Sequence, residues 1–261
     1  MRYHRLMLEG SQSKLPAIRA EDGIALFLDL DGTLVDFASH PDDVVLLERT
    51  RKSLQRLHER LGGAVAIITG RDIETVDRIT APVHLPIAGV HGLMRRDANG
   101  QVHHMAVDDE ALERIRAQLD VWSKDHPGVL VERKPGAVAL HYRKRPDLED
   151  ACAHLMDEMG GGLEGFLLLR GKSVIELRGG GTDKGQAIKA FISEEPFAGR
   201  KPVFAGDDVT DEDGFEAVNA KDGITIKVGE GKSVARYRAE TVEAFTEWLA
   251  ATAERLSEKA R

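Results

Sequence analysis

A single cysteine, Cys152, stands among 261 residues. One thiol cannot build a disulfide framework or a thiolate metal cluster, and its place among helical apolar residues marks it as buried and inert. No apolar run approaches the ~20 residues that a membrane span requires. The first twenty residues are polar, irregular and without the apolar core of a secretion signal. A cytoplasmic chain that contacts no membrane is expected, with residues 1–20 as a loose arm. Positive charge is also short: the net charge of −8 argues against a general nucleic-acid binder. Basic clusters at Arg95-Arg96, Arg133-Lys134 and Arg143-Lys144-Arg145 read mostly as solvated surface, although a small anionic substrate would need only a few of them. Two phosphate-binding signatures are missing. Five residues separate Gly165 from Gly171-Lys172-Ser173 where a Walker loop has four, and no GxGxxG opens a helix after the first strand.

What is present is a soluble globular composition, 42% hydrophobic and 31% charged, long enough for one large domain or two. The chain is organised around residues 25–34. An apolar run of strand length ends in Asp29 and Asp31, followed by a Gly32-Thr33 turn. A buried strand that ends in a carboxylate delivers it where open α/β sheets bind ligands. Two carboxylates ~4 Å apart repel by roughly 4 kcal/mol at an effective dielectric of about 20. Such a pair needs a cation, a shared proton or full solvation.

Strand and helix patterns alternate from there. Strands are expected at 24–29, 64–68 and 86–90, with helices at 42–61 and 72–79. This rhythm means an α/β fold with a doubly wound parallel sheet. It breaks at 108–178, which reads as helix-strand-strand twice over, an inserted smaller α+β domain with antiparallel pairing. Its second strand turns Val138, Leu140 and Tyr142 one way and His141 and Arg143 the other. Ile175 and Leu177 likewise oppose Glu176 and Arg178, and Glu132 and Lys134 share a side. Packing both helices on the apolar face leaves the polar one open. The parallel rhythm resumes at 179–261, so the core is expected at 1–107 and 179–261. There Lys184 opens a helix, a strand at 203–205 ends in Gly206-Asp207-Asp208 with Asp211 beyond, and Ile224–Val228 reads as the last strand.

In such a sheet Asp29 with Asp31, Thr69 with Arg71, Lys184, and Asp207 with Asp208 and Asp211 fall along one edge. Oxygen ligands without clustered His or Cys suit Mg²⁺ better than zinc. The His103-His104 pair lies in an expected hairpin and lacks partners at ligand spacing. A carboxylate can act as a nucleophile toward phosphorus, while a cation and Lys184 neutralise the phosphoryl oxygens and a second carboxylate moves the proton.

Asp29-Leu30-Asp31-Gly32-Thr33-Leu34, Thr69-Gly70-Arg71, Lys184-Gly185 and Gly206-Asp207-Asp208 with Asp211 resemble, in order, the four motifs of haloacid dehalogenase-like phosphatases. Gly89-Val90-His91-Gly92, Val131-Glu132-Arg133-Lys134, Leu140-His141-Tyr142-Arg143 and Glu176-Leu177-Arg178 narrow this to a resemblance to trehalose-6-phosphate phosphatases over about residues 22–250. The resemblance implies Asp29 as nucleophile, Asp31 as general acid and base, and Mg²⁺ held by Asp29, Asp31 and Asp207. It implies Thr69 and Lys184 on the phosphoryl group and Asp208 and Asp211 in support. Glu132, Lys134 and Glu176 would bind sugar hydroxyls, with Arg71, His91 and Arg143 as further substrate contacts. The insert would be the family's mobile cap. Met94 stands where the family usually has an acidic residue, and Gly179 where it usually has proline. The implied reaction is Mg²⁺-dependent hydrolysis of trehalose 6-phosphate by a monomer. Alternatives are another sugar phosphate, a phosphosugar mutase on the same scaffold, or a non-catalytic sensor.

Overall fold

Ile24–Leu28 forms β1, an apolar strand buried on both faces, as a central strand of a covered sheet must be. The computed structural model describes residues 14–38, 40, 43–104, 108–160, 162–163, 165–180 and 182–258. The chain forms two units, Met1–His103 with Asp183–Arg261, and His104–Thr182; residues 108–178 all fall in the second.

After β1 come α1 (Glu48–Arg60), β2 (Val65–Ile68), α2 (Ile73–Thr80), β3 (Ile87–Gly89), β4 (Met94–Arg96) and β5 (Val102–His104). The second unit contributes α3 (Asp109–Lys124), β6 (Leu130–Lys134), β7 (Ala137–His141), α4 (Glu149–Gly160), β8 (Phe166–Gly171) and β9 (Val174–Gly179). The chain then completes the first unit with α5 (Lys184–Ile192), β10 (Lys201–Gly206), α6 (Glu212–Asn219), β11 (Ile224–Val228), β12 (Tyr237–Ala239) and α7 (Val242–Glu258).

The large sheet has the order β12-β11-β10-β1-β2-β3-β4-β5, parallel from β12 to β3, with β4 antiparallel to β3. The path steps from β1 to β2 in one direction and from β10 to β11 in the other. Right-handed crossovers therefore put α1 and α6 on opposite faces, and the reversal falls between β1 and β10. This is the doubly wound α/β sheet expected from the strand and helix rhythm. Phe27 on β1 packs against Phe191 and Phe197, with ring centroids 6.1 and 5.4 Å away, anchoring α5 beneath the central strand.

In the second unit the sheet order is β6-β7-β9-β8, antiparallel throughout. Leu112, Ile115 and Leu119 of α3 and Cys152 and Met156 of α4 bury Val138, Leu140, Ile175 and Leu177. Both helices thus cover the apolar face. Burial pushes the Cys152 thiol up, away from the reactive thiolate.

Four local expectations change. Ile224–Val228 is not the last strand, because β12 (Tyr237–Ala239) follows and pairs with it in parallel at the sheet edge. The helix expected at 42–61 begins at Glu48: Leu47 is extended (φ −62°, ψ 141°) and exposed, so it lies outside the buried stripe of Leu54 and Leu57. Residues 41 and 42 lie outside the described residues. The described part of the expected arm is anchored, because Ile18 is buried and the Trp248 indole donates to the Pro16 carbonyl at 2.8 Å; residues 1–13 lie outside the described ones. The strand carrying Arg143 stops at His141, where the Arg145 amide closes a turn on the Tyr142 carbonyl at 2.8 Å ahead of Pro146. Met94 packs against the large core, and the Gly179 amide continues the ladder by donating to Gly136 at 2.9 Å. Among the described residues, no helix is long and apolar enough to cross a membrane.

Candidate active site

Four neighbouring strands deliver the site. Asp29 follows β1 and still donates its amide to Ala205 of β10 at 2.9 Å, while Thr69 follows β2 and donates to Ala88 of β3 at 2.9 Å. Asp207 follows β10 and His91 follows β3. Parallel register sets all these ends along one edge, with Asp29 and Asp207 on the two sides of the reversal.

Lys184 is the first residue of α5, whose N-cap Asp183 accepts the Gln186 amide at 2.7 Å. Its buried ammonium donates to Asp29 Oδ1 and Asp211 Oδ1, both at 2.7 Å. The other Asp211 oxygen accepts the amides of Asp207 and Asp208, at 3.0 and 2.9 Å. Asp211 is thus a buried clasp that fixes both the lysine and the loop bearing Asp207. Asp208 is exposed and caps its own turn through the Val209 amide at 2.7 Å.

One carboxylate oxygen each from Asp29, Asp207 and Asp211 lie within 4.8 Å of one another. Burial pushes the Asp29 carboxyl well above its ordinary range; Lys184 pulls it back, and Asp211 and Asp207 push it further. Asp207 is pushed up to about 7, by burial first and then by Asp211. Burial works against the charge on Lys184, but Asp211 and Asp29 outweigh it and raise its pKa. Gly32 makes room for this grouping: its φ is +79°, and a Cβ there would lie 2.2 Å from Asp207 Oδ2.

Asp31 is placed differently from its neighbours. Arg71 grips it with a fork, Nε to Oδ2 and Nη2 to Oδ1, each 2.7 Å. The close carboxylate group contains Asp211, expected only in support, and Asp31 gives its oxygens to Arg71, expected as a substrate contact. Thr69 is buried and its hydroxyl accepts the Arg71 amide at 3.2 Å. Val90 and His91 adopt left-handed backbone (φ 48° and 53°), a conformation costly for a β-branched residue. The amides hold it, Val90 donating to Arg71 at 3.0 Å and His91 to Thr69 at 2.9 Å. The His91 ring lies directly over Gly70, where a Cβ would come within 2.6 Å of Nε2.

The second unit holds Glu132, Lys134 and Glu176 on one sheet face, Lys134 Nζ donating to Glu176 Oε2 at 2.8 Å and His141 Nε2 to Glu132 Oε2 at 2.7 Å. Arg143, beyond the end of β7, is exposed. His103 donates to Asp97 at 2.9 Å within the β4–β5 hairpin.

A family model described as trehalose-phosphatase matches residues 27–244, spanning every one of these positions. The chain belongs to the trehalose-phosphatase family. It is 42% identical over 225 residues to a trehalose-6-phosphate phosphatase of Escherichia coli, covering 86% of this chain and 85% of that one. A probable trehalose-phosphate phosphatase of Sinorhizobium fredii is 42% identical, covering 80% and 78%. Among solved structures, that of a trehalose-6-phosphate phosphatase related protein superposes with a TM-score of 0.73 at 30% identity, over 90% of this chain and 99% of that one. The Candida albicans trehalose-6-phosphate phosphatase C-terminal domain gives a TM-score of 0.78 over 94% and 99%, and its 22% identity speaks for the fold.

For this member of the trehalose-phosphatase family, sequence reasoning passed over Lys227. It lies on β11 opposite Gly206, is 5% exposed, and its ammonium donates to the Asp207 carbonyl. A lysine inside an otherwise apolar buried strand is the signal that could have found it.

Proposed function

We propose that this chain hydrolyses trehalose 6-phosphate to trehalose and phosphate through an aspartyl-phosphate at Asp29, with Mg²⁺ as its cation. The observation that carries the proposal is the buried Asp29–Lys184–Asp211 array at the end of the central strand, in a chain of this family. An isolated structural ion pair would not set a further carboxylate, the half-buried Asp207, beside it.

The donor set fits a hard divalent cation: it is all oxygen, and burial raises the pKa of Asp29 and Asp207 more than the nearby Lys184 lowers it. Asp29 and Asp207 would hold the ion, with Asp31 joining from the same turn and Asp208 and Asp211 in support. Bound there, Mg²⁺ offsets the negative charge that the carboxylates and phosphoryl oxygens share.

Asp29 attacks phosphorus, and the bond to the sugar oxygen breaks as Asp31 gives that oxygen a proton. Asp31 then takes a proton from the water that attacks the aspartyl-phosphate, and Asp29 is restored. The Arg71 fork occupies both Asp31 oxygens, so proton transfer through Asp31 requires release from the fork. Lys184 fixes the attacking carboxylate and, with Thr69, binds phosphoryl oxygens. Glu132, Lys134 and Glu176 supply hydrogen bonds to the disaccharide, with His91 and Arg143 as further contacts.

With trehalose 6-phosphate and Mg²⁺, phosphate and trehalose should appear in a one-to-one ratio with no sugar bisphosphate added, and a chelator should stop both. A requirement for bisphosphate with little free phosphate would replace hydrolysis by a mutase reaction.

A further inference from the structure

We propose that His141 is a positioning residue that fixes the carboxylate of Glu132 for sugar recognition; this rests on the reading of Glu132 as a sugar contact. The face shared by β6, β7 and β9 carries Glu132 and Lys134, then Ala137, Ala139 and His141, then Glu176 and Arg178. Strands lie ~4.8 Å apart, so β6 and β9 are separated by about two spacings. The two alanines keep the floor low, and Lys134 reaches across β7 to Glu176 at 2.8 Å. That draws its ammonium toward Glu176. Its distance to Glu132 Oε2 is 3.8 Å, an ion pair without a hydrogen bond.

His141 supplies what Lys134 does not. The register sets Leu130 opposite His141, so Glu132 is the diagonal neighbour on the same face, within reach of a long side chain. His141 Nε2 lies 2.7 Å from Glu132 Oε2. An ionised carboxylate only accepts, so Nε2 carries the hydrogen and donates. Glu132 and His141 keep 35% and 29% of their side chains exposed, so a ligand can reach the carboxylate while the imidazole holds it. A glutamate stilled in advance loses less freedom when a sugar hydroxyl binds. His141 is thus assigned to ground-state recognition, apart from the chemistry.

The test uses the full chain with His141→Leu, His141→Gln, Glu132→Ala and the Glu132→Ala/His141→Leu double variant. Trehalose 6-phosphate and p-nitrophenyl phosphate are the substrates, and thermal midpoints confirm folding. Gln keeps an N–H near the Nε2 position. The proposal expects His141→Leu to raise KM for trehalose 6-phosphate about tenfold while kcat stays within about threefold. The ratio of kcat/KM for the sugar phosphate over the aryl ester should fall about tenfold. His141→Gln should lie within about threefold of the parent, and the double variant should match Glu132→Ala. A selective defect in Glu132→Ala with none in His141→Leu overturns the His141 role alone, as do multiplying losses in the double variant or a Gln variant as poor as Leu. No selective defect in Glu132→Ala overturns the reading of Glu132 itself, and the role of His141 with it.

Discussion

In an Asp29→Asn variant, phosphate release from trehalose 6-phosphate should fall by at least about 10⁴-fold, while the fold melts no lower than the parent without added metal. The loss follows from removing the proposed nucleophile. The stability follows from linkage. Asp29 has its pKa raised on folding, because burial and its acidic neighbours outweigh Lys184. The folded state then binds more protons than the unfolded one between the two pKa values, so ionisation of Asp29 destabilises the fold as pH rises. The asparagine should therefore be neutral or stabilising at pH 7, and that benefit should vanish below about pH 4, where unfolded aspartate is protonated too. Release above a hundredth of the parent rate would place the nucleophile elsewhere.

Lys184→Met should have the opposite effect on stability and the same effect on turnover. Its ammonium joins Asp29 and Asp211, both buried, at 2.7 Å each. Removing the cation from such a group leaves uncompensated buried charge, at a cost of about 3–5 kcal/mol. For a chain of this size each kcal/mol moves the melting midpoint by roughly 2–4 °C, so a drop of about 10 °C is expected in thermal denaturation. Adding Asp29→Asn should recover part of it, since one of the stranded charges is then gone. A Lys184→Met chain as stable as the parent, or a double variant less stable than Lys184→Met, would contradict the array.

The parts of the molecule that could be read from sequence are those in which one element decides the outcome. β1 is uniformly apolar and ends in an aspartate, so both its burial and the place of its carboxylate follow from the strand alone. The alternation in β7 and β9 decides which face α3 and α4 cover, and Val138, Leu140, Ile175 and Leu177 lie where it says. What could not be read depends on two distant segments at once. The fork of Arg71 on Asp31 and the double contact of Lys184 with Asp29 and Asp211 span 40 and 155 positions for the first partners named. Spacing within either segment carries no sign of them. The end of β7 at His141 was missed because Tyr142 continues the apolar alternation while the chain already turns toward Arg145. Leu47 misled in the same way, an exposed leucine lying by chance on the helical repeat.

The central claim is tested most directly by initial rates of phosphate release, with Mg²⁺, from trehalose 6-phosphate, sucrose 6-phosphate, glucose 6-phosphate and mannose 6-phosphate. A hydrolase with a dedicated disaccharide site should show kcat/KM for trehalose 6-phosphate at least about 100-fold above each of the others, the discrimination expected when buried polar groups lose their partners. Slow, equal release from all four would contradict it.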